Sequence, residues 1–282
     1  MKLLRILVLG FFLIAAVLHG GYTIHEKLTT DNVPPVITAD SDEIDVSVNV
    51  TDEELLEGMH AEDARDGDVT DSMVVVSRLD FIKKGTLKVN YAAFDSSNNV
   101  ATYARVINYT DYRSPHFNAT RPFRFSETEE SSTALSTVKV NDVLDGDLTA
   151  DIRITYGDNE GIKYPVILEV TNSAGDSAIV SINIYLEDRM SLSIPSVALD
   201  NYILYTQVGR PITPEVHPIG IFQNSSVIEF NERLAYTMDN IAWDDSGVDY
   251  NTPGEYVVTY TLYDEFGEEL NKTEMYVIVE ED

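Results

Sequence analysis

The chain has 282 residues, with Lys+Arg 19 against Asp+Glu 48, a formal net charge of −29. Phosphate backbones demand a basic surface, so nucleic acid is excluded as a partner, and so is docking on an anionic bilayer through a polybasic patch. Hydrophobic residues at 44% and aromatics at 10% can fill buried cores, while Cys 0 removes disulfides, thiolate metal sites and cysteine nucleophiles.

The first thirty residues carry the address. Lys2 and Arg5 precede an apolar run from Ile6 to Leu18. Counted from Leu3 to Tyr22 the stretch is about 20 residues, the length a spanning helix needs. The small-residue positions that a signal-peptide cleavage site wants are poorly filled: Ala16 pairs with Leu18, Val17 with His19 and Leu18 with Gly20. The expectation is an uncleaved anchor plus short stalk over residues 1–30, with the N-terminus cytoplasmic and the remainder outside. A cleaved signal is the alternative. The implied location is the cell membrane with extracellular C-terminal domains, or secreted if cleavage occurs.

Beyond this segment the chain repeats itself. Residues 62–71 read EDARDGDVTD and residues 141–151 read NDVLDGDLTAD, so that Asp63, Asp66, Gly67, Asp68 and Thr70 coincide with Asp142, Asp145, Gly146, Asp147 and Thr149. A second set of similar segments comprises LKVNYAAFDSSNNVA (87–101), VILEVTNSAGDSA (166–178) and YVVTYTLYDEFGE (256–268). Each is an alternating strand running into a short turn at Asp95–Asn98, Asn172–Gly175 or Asp264–Gly267, followed by a second strand. Strand, Gly/Asn turn and strand predict a hairpin. Repeats spaced about 77–92 residues apart, with many short strands and little helical periodicity, predict an all-β chain of three tandem Ig-like β-sandwiches. The domains are expected at 34–110, 113–188 and 191–281, the last divergent. Short joints at 31–35, 110–115 and 187–195 predict an extended rod. One helical turn is expected at Asp52–Gly58.

The segment Val248–Asp264 (VDYNTPGEYVVTYTLYD), with Gly267, resembles the last strands of bacterial Ig-like surface domains, which typically read VDxxxPGxYxVTYxxxDxxGN. Their A-x-D-x-x-D-G-D motif is matched at Ala61–Asp68 and, with Val140 in place of Ala, at Val140–Asp147; Pro34–Ile37 is similar to their first strand. The resemblance covers nearly everything after residue 31. It implies the sandwich fold and leaves activity open, since such domains serve as spacers, adhesive heads and enzyme accessories. The third repeat lacks the DGD loop and carries the chain's one Trp, Trp243.

Asp63, Asp66, Asp68 and Asp71 crowd one loop, as do Asp142, Asp145, Asp147 and Asp151 another. Carboxylates spaced around a Gly are what Ca²⁺ needs, since they bring several hard oxygens to one tight turn. In an Ig-like sandwich these loops and the Asp95 turn lie at the end where the chain enters the domain. Asp63, Asp66, Asp68, Asp95, Asp142, Asp145 and Asp147 are therefore the candidate calcium ligands. The second-repeat loops are expected close to Asp111, in an interdomain site with the logic of those that stiffen cadherins. The alternative is ordinary turn chemistry, with Asp capping backbone amides and Gly at positive φ.

The histidines His19, His25, His60, His116 and His217 are scattered, without metal-ligand spacing, and no nucleophile elbow, P-loop or dinucleotide fingerprint is present. Trp243 gathers with Tyr202, Tyr205, Phe222, Phe230 and Tyr236 in the third repeat. It reads either as the core of its own sandwich or as a ligand-binding residue at the tip of a rod. The resulting expectation is a membrane-anchored, non-catalytic surface protein that binds or spaces, its partner an unknown surface protein or glycan. The alternative is a polysaccharide-binding accessory of a wall- or carbohydrate-processing system.

Overall fold

The structure, a computed structural model, describes residues 2–29, 31–231 and 234–281. The side chains of residues 2–6, 25–29, 189 and 192 lie outside that description, and with them the Lys2 and Arg5 flank of the expected anchor and His25. The chain begins with helix α1 (Lys2–Thr29). Its stretch Leu7–Ile24 has mean hydropathy 2.0, is 0% buried, and is long and apolar enough to cross a membrane.

Everything after α1 is built from strands whose side chains alternate between core and solvent, the period-2 pattern of half-buried sheet. The first sandwich comprises β1 (Val36–Ala39), β2 (Glu43–Val46), β3 (Met59–Asp63), β4 (Gly67–Asp68), β5 (Val74–Arg78), β6 (Thr86–Phe94) and β7 (Val100–Tyr109). They form a three-stranded sheet β1-β3-β4 and a four-stranded sheet β2-β7-β6-β5. The pairs are antiparallel except β2, which runs parallel to β7.

The second sandwich repeats the plan with β8 (His116–Ala119), β9 (Arg124–Ser126), β10 (Val138–Asp142), β11 (Gly146–Asp147), β12 (Arg153–Tyr156), β13 (Lys163–Thr171) and β14 (Ser177–Glu187). Its sheets are β8-β10-β11 and β9-β14-β13-β12. The third comprises β15 (Ser196–Leu199), β16 (Ile203–Gln207), β17 (Pro218–Gln223), β18 (Ser226–Glu229), β19 (Ile241–Asp244), β20 (Gly254–Tyr263) and β21 (Glu269–Glu280). Its sheets are β15-β17-β18 and β16-β21-β20-β19. Lacking a DGD loop, the third repeat keeps the strand order by pairing β17 with the longer β18.

In the first sandwich Leu55, Met59, Leu87, Val89, Tyr91 and Ile107 fill the core. Helix α2 (Asp52–Leu55) supplies Leu55. A capping box starts it: the Thr51 side chain accepts from the Glu54 amide while the Glu54 carboxylate accepts from the Thr51 amide. The buried Tyr91 hydroxyl donates to the Leu55 carbonyl at 3.1 Å, so the expected helical turn is fastened to the sandwich beneath it.

By packing the chain divides into two compact units, Met1–Tyr112 and Arg113–Asp282. Within the second unit the two sandwiches share one continuous core, which includes Phe117, Val140 and Ile184 from one and Val197, Tyr202 and Val277 from the other. The Tyr202 amide donates to the Ala119 carbonyl at 2.8 Å, and the Ala119 amide to Asn201 Oδ1 at 3.0 Å. The Asn183 amide donates to the Tyr276 hydroxyl at 2.8 Å, and His116 stacks on Tyr205 with ring centroids 3.8 Å apart.

For this pair the picture of domains joined only by a short linker is therefore corrected. Large aromatics of the third repeat are committed to a shared interior, where burying each contributes roughly 1.5–3 kcal/mol. Residues read as the joint contain the short helix α3 (Arg189–Ser193), whose first turn is capped by Asp188 accepting from the Ser191 amide at 2.7 Å. A 3-10 turn at Ser131–Leu135, also not expected from the sequence, buries Ala134 and Leu135.

Candidate metal centre

The two DGD loops fold alike, and hydrogen bonds show why. In each, the last residue of the strand caps the turn it enters: Asp63 Oδ1 accepts from the amides of Arg65 and Asp66, and Asp142 Oδ1 from those of Leu144 and Asp145. Gly67 and Gly146 then take φ of +77° and +76°, left-handed geometry that glycine adopts without a Cβ penalty. Asp66 accepts from the Ser96 amide and hydroxyl at 2.8 and 2.9 Å, and Asp145 from those of Ser173 at 2.6 and 2.7 Å. Asp68 and Asp147 accept from the amides of Thr70 and Thr149.

These bonds to Ser96 hold the exposed Asp66 carboxyl below its ordinary pKa. The threonine bonds do the same for Asp68 and Asp147. Four of the seven expected ligands thus have carboxylate oxygens already engaged: Asp66 and Asp145 fasten the DGD loop to the hairpin turn, and Asp68 and Asp147 cap an amide two residues on in their own loop.

The remaining three part company. In the first sandwich Asp63 and Asp95, 5% and 6% exposed, approach each other and a third residue, Asp31. Each offers one carboxylate oxygen, and these oxygens all lie within 4.8 Å of one another. Asp95 Oδ1 is held by the amides of Ser97 and Asn99, and Asp31 Oδ1 by the Val33 amide. Asn99 Nδ2 donates to Asp95 Oδ2 at 2.6 Å and to the Asp31 carbonyl at 3.1 Å, which ties the incoming segment to the hairpin turn. Asp63 Oδ2 is buried without a hydrogen-bond partner.

In the second sandwich the position of Asp95 is taken by Asn172, whose Nδ2 donates to Asp142 Oδ2 at 3.2 Å. The oxygen orphaned in one repeat is satisfied in the other. Asp111, on the first unit, accepts from the Ser47 hydroxyl and the Val48 amide, both at 2.8 Å. Asp31 was not singled out from the sequence. The signal was its position ahead of the Pro34–Pro35 pair, matching that of Asp111 ahead of Pro115.

Trp243 lies on β19, paired with Tyr260 of β20, and is 40% exposed. Tyr202 and Phe222, grouped with it in the sequence, are buried. The aromatic set is therefore divided between interior and edge and does not form one exposed tip.

A second polar concavity, of about 290 Å³, lies within residues 113–282 and was not legible in the sequence because both sandwiches line it. Arg124 pairs with Glu187 at 3.3 Å, the two side chains 8% and 13% exposed, and Glu187 Oε2 has no hydrogen-bond partner. Burial raises the Glu187 carboxyl pKa despite the adjacent guanidinium. Across the concavity the hydroxyls of Tyr185 and Tyr276 both donate to Glu274 at 2.9–3.1 Å. Burial and that carboxylate push both phenols up. The arrangement keeps two phenols protonated as donors to a single acceptor.

No family model matches the chain. It is 28% identical over 258 residues to the pesticidal crystal protein Cry22Aa of Bacillus thuringiensis, a match covering 88% of this chain and 33% of that protein. The chain thus spans about a third of the length of that relative. Among solved structures it is similar to the CBM51-2 and INT domains of Clostridium perfringens ZmpB, with TM-score 0.23 and 18% identity over 49% of this chain and 30% of that one. It is also similar to the extracellular domain of protocadherin gamma B4, with TM-score 0.19 and 11% identity over 88% and 50% of the two chains. Similarities of this size carry no statement about function. The class of protein is set by the strand order itself: an all-β chain of three tandem Ig-like β-sandwiches behind an apolar N-terminal helix.

Proposed function

We propose that the chain is an exported, N-terminally anchored Ig-like repeat protein that binds or spaces at a cell surface and performs no catalysis. The observation that carries this reading is helix α1. Its 18-residue apolar stretch is 0% buried, so folding gives it nothing to pack on, and a bilayer is the solvent that would cover it. Lys2 and Arg5 ahead of that stretch would hold the N-terminus on the cytoplasmic side. The match to one third of a longer protein supports a modular use of the sandwiches. Their resemblance to bacterial Ig-like surface domains points the same way.

The test is protease treatment of intact cells expressing the full chain with a C-terminal epitope, followed by carbonate extraction of the membranes. The epitope should be lost to external protease while the undigested chain stays with the membrane after extraction. An epitope protected in intact cells would overturn the reading, and a shortened chain found in the medium would replace the anchor by a cleaved signal.

A second reading, a polysaccharide-binding accessory, rests on the half-exposed Trp243 on a sheet-edge strand. Retention of the full chain on insoluble polysaccharide, lost on Trp243→Ala with unchanged melting, would favour it.

A further inference from the structure

We infer that the first sandwich holds one hard divalent cation, of the calcium class, between Asp31, Asp63 and Asp95, and that the equivalent turns of the other two sandwiches hold none. This inference stands independently of where the protein resides.

Two observations carry it together. The first is the convergence of three carboxylates from separate segments, the stretch preceding β1, the end of β3 and the β6–β7 turn, with one oxygen each within 4.8 Å. Two of these side chains are about nineteen-twentieths buried. Like charges brought that close out of water repel. The second is Asp63 Oδ2, which is buried and unpartnered, a state that is costly for a charged oxygen unless something positive meets it.

The second sandwich provides the internal comparison. Its strand β10 ends on Asp142 with the same amide bonds to Oδ1, but the facing residue is Asn172, which supplies a hydrogen where the first sandwich presents a second negative charge. An Asp–Asn pair closes on itself; an Asp–Asp pair needs a cation. In the third sandwich β17 ends on Gln223, and no carboxylate stands at that position.

The chemistry of the donors names the class. All three are carboxylate oxygens, which suit hard cations and not the nitrogen- and sulfur-seeking metals. Each carboxylate has an oxygen fixed by backbone amides, so the ligands are held before the ion arrives. Ca²⁺ accepts six to eight oxygens in flexible geometry, including bidentate carboxylates and water, whereas Mg²⁺ demands a near-ideal octahedron that three anchored side chains do not offer. Because Asn99 also binds the carbonyls of Asp31 and Val33, the ion would fasten the segment that follows α1 onto the tip of the sandwich.

The test is calorimetric titration of the full chain, solubilised in detergent and stripped with chelator, with Ca²⁺ and separately with Mg²⁺ at fixed ionic strength. One Ca²⁺ site per chain is expected. Asp95→Asn should weaken it at least tenfold, and Asp142→Asn should leave it unchanged. Folding is controlled by the same substitution: without Ca²⁺, Asp95→Asn should melt no lower than the parent, since the introduced amide can donate to Asp63 Oδ2 as Asn172 does to Asp142. Zero or two sites, unweakened binding by Asp95→Asn, binding lost with Asp142→Asn, a chelated variant that melts below the parent, or Mg²⁺ bound more tightly than Ca²⁺ would each overturn the assignment.

Discussion

Replacing Tyr202 with Ala should destabilise two sandwiches, although the residue belongs to only one. Tyr202 is fully buried, and its ring meets Phe123 of the second sandwich edge-on at 6.2 Å. Its amide donates to Ala119 of that sandwich, its carbonyl accepts from the Tyr276 amide of the third, and its hydroxyl accepts from the Leu199 amide. Removing a buried aromatic side chain of this size costs about 3–5 kcal/mol, and the stranded Leu199 amide adds roughly 1–3 kcal/mol where no other acceptor reaches it. At about 1.4 kcal/mol per tenfold, the first of these alone accelerates exchange from the globally unfolded state by a factor of about 140 to about 3,700. Hydrogen exchange read by mass spectrometry should show this acceleration in β20 and β21 and, to the same extent, in β13 and β14. Acceleration confined to the third sandwich would refute the claim that residues 113–282 share a single cooperative core.

Two further outcomes follow from the buried and exposed carboxylates. Arg124→Met leaves Glu187 without its cation and should cost about 3–5 kcal/mol near neutral pH, read as a lower urea midpoint. Because burial raises the Glu187 pKa in the folded state, its contribution to stability is present at low pH and lost as pH rises from the ordinary carboxylate range through the raised value. The deficit of the variant should therefore shrink on acidification, and an equal deficit at pH 5 and pH 7.5 would refute the role given to Glu187. Asp66 behaves oppositely: its folded pKa is depressed, so its contribution is present above the ordinary carboxylate range and lost as pH falls through the folded value. Asp66→Asn should flatten the acid limb of melting temperature against pH and leave Ca²⁺ binding intact; loss of binding would return Asp66 to the metal site.

The sequence made the sandwiches legible because their information is local. Alternating burial in Met59–Asp63 and Val138–Asp142, and the hairpin turns capped by Asp95, Asn172 and Asp264, are properties of a few consecutive residues. The parallel placement of β2, β9 and β16 beside the last strand of each sandwich was not legible, because partners more than sixty residues apart leave no local trace. The metal centre was legible in part for the same reason. The aspartates were visible, but which of them faced Ser96 and which faced one another depended on how the loop met the hairpin turn. The one local clue, Asp95 in the first repeat against Asn172 in the second, gains its meaning only once both are seen opposite the end of a strand.

Differential scanning calorimetry of the full chain in detergent, with Ca²⁺ and with chelator at equal ionic strength, tests the central claim most directly. Two transitions are predicted, one lowered by Tyr202→Ala and insensitive to Ca²⁺, the other raised by Ca²⁺ in the parent and unmoved by it in Asp95→Asn. A Ca²⁺-dependent rise in both transitions, or in neither, would contradict a single cation site built into the first sandwich.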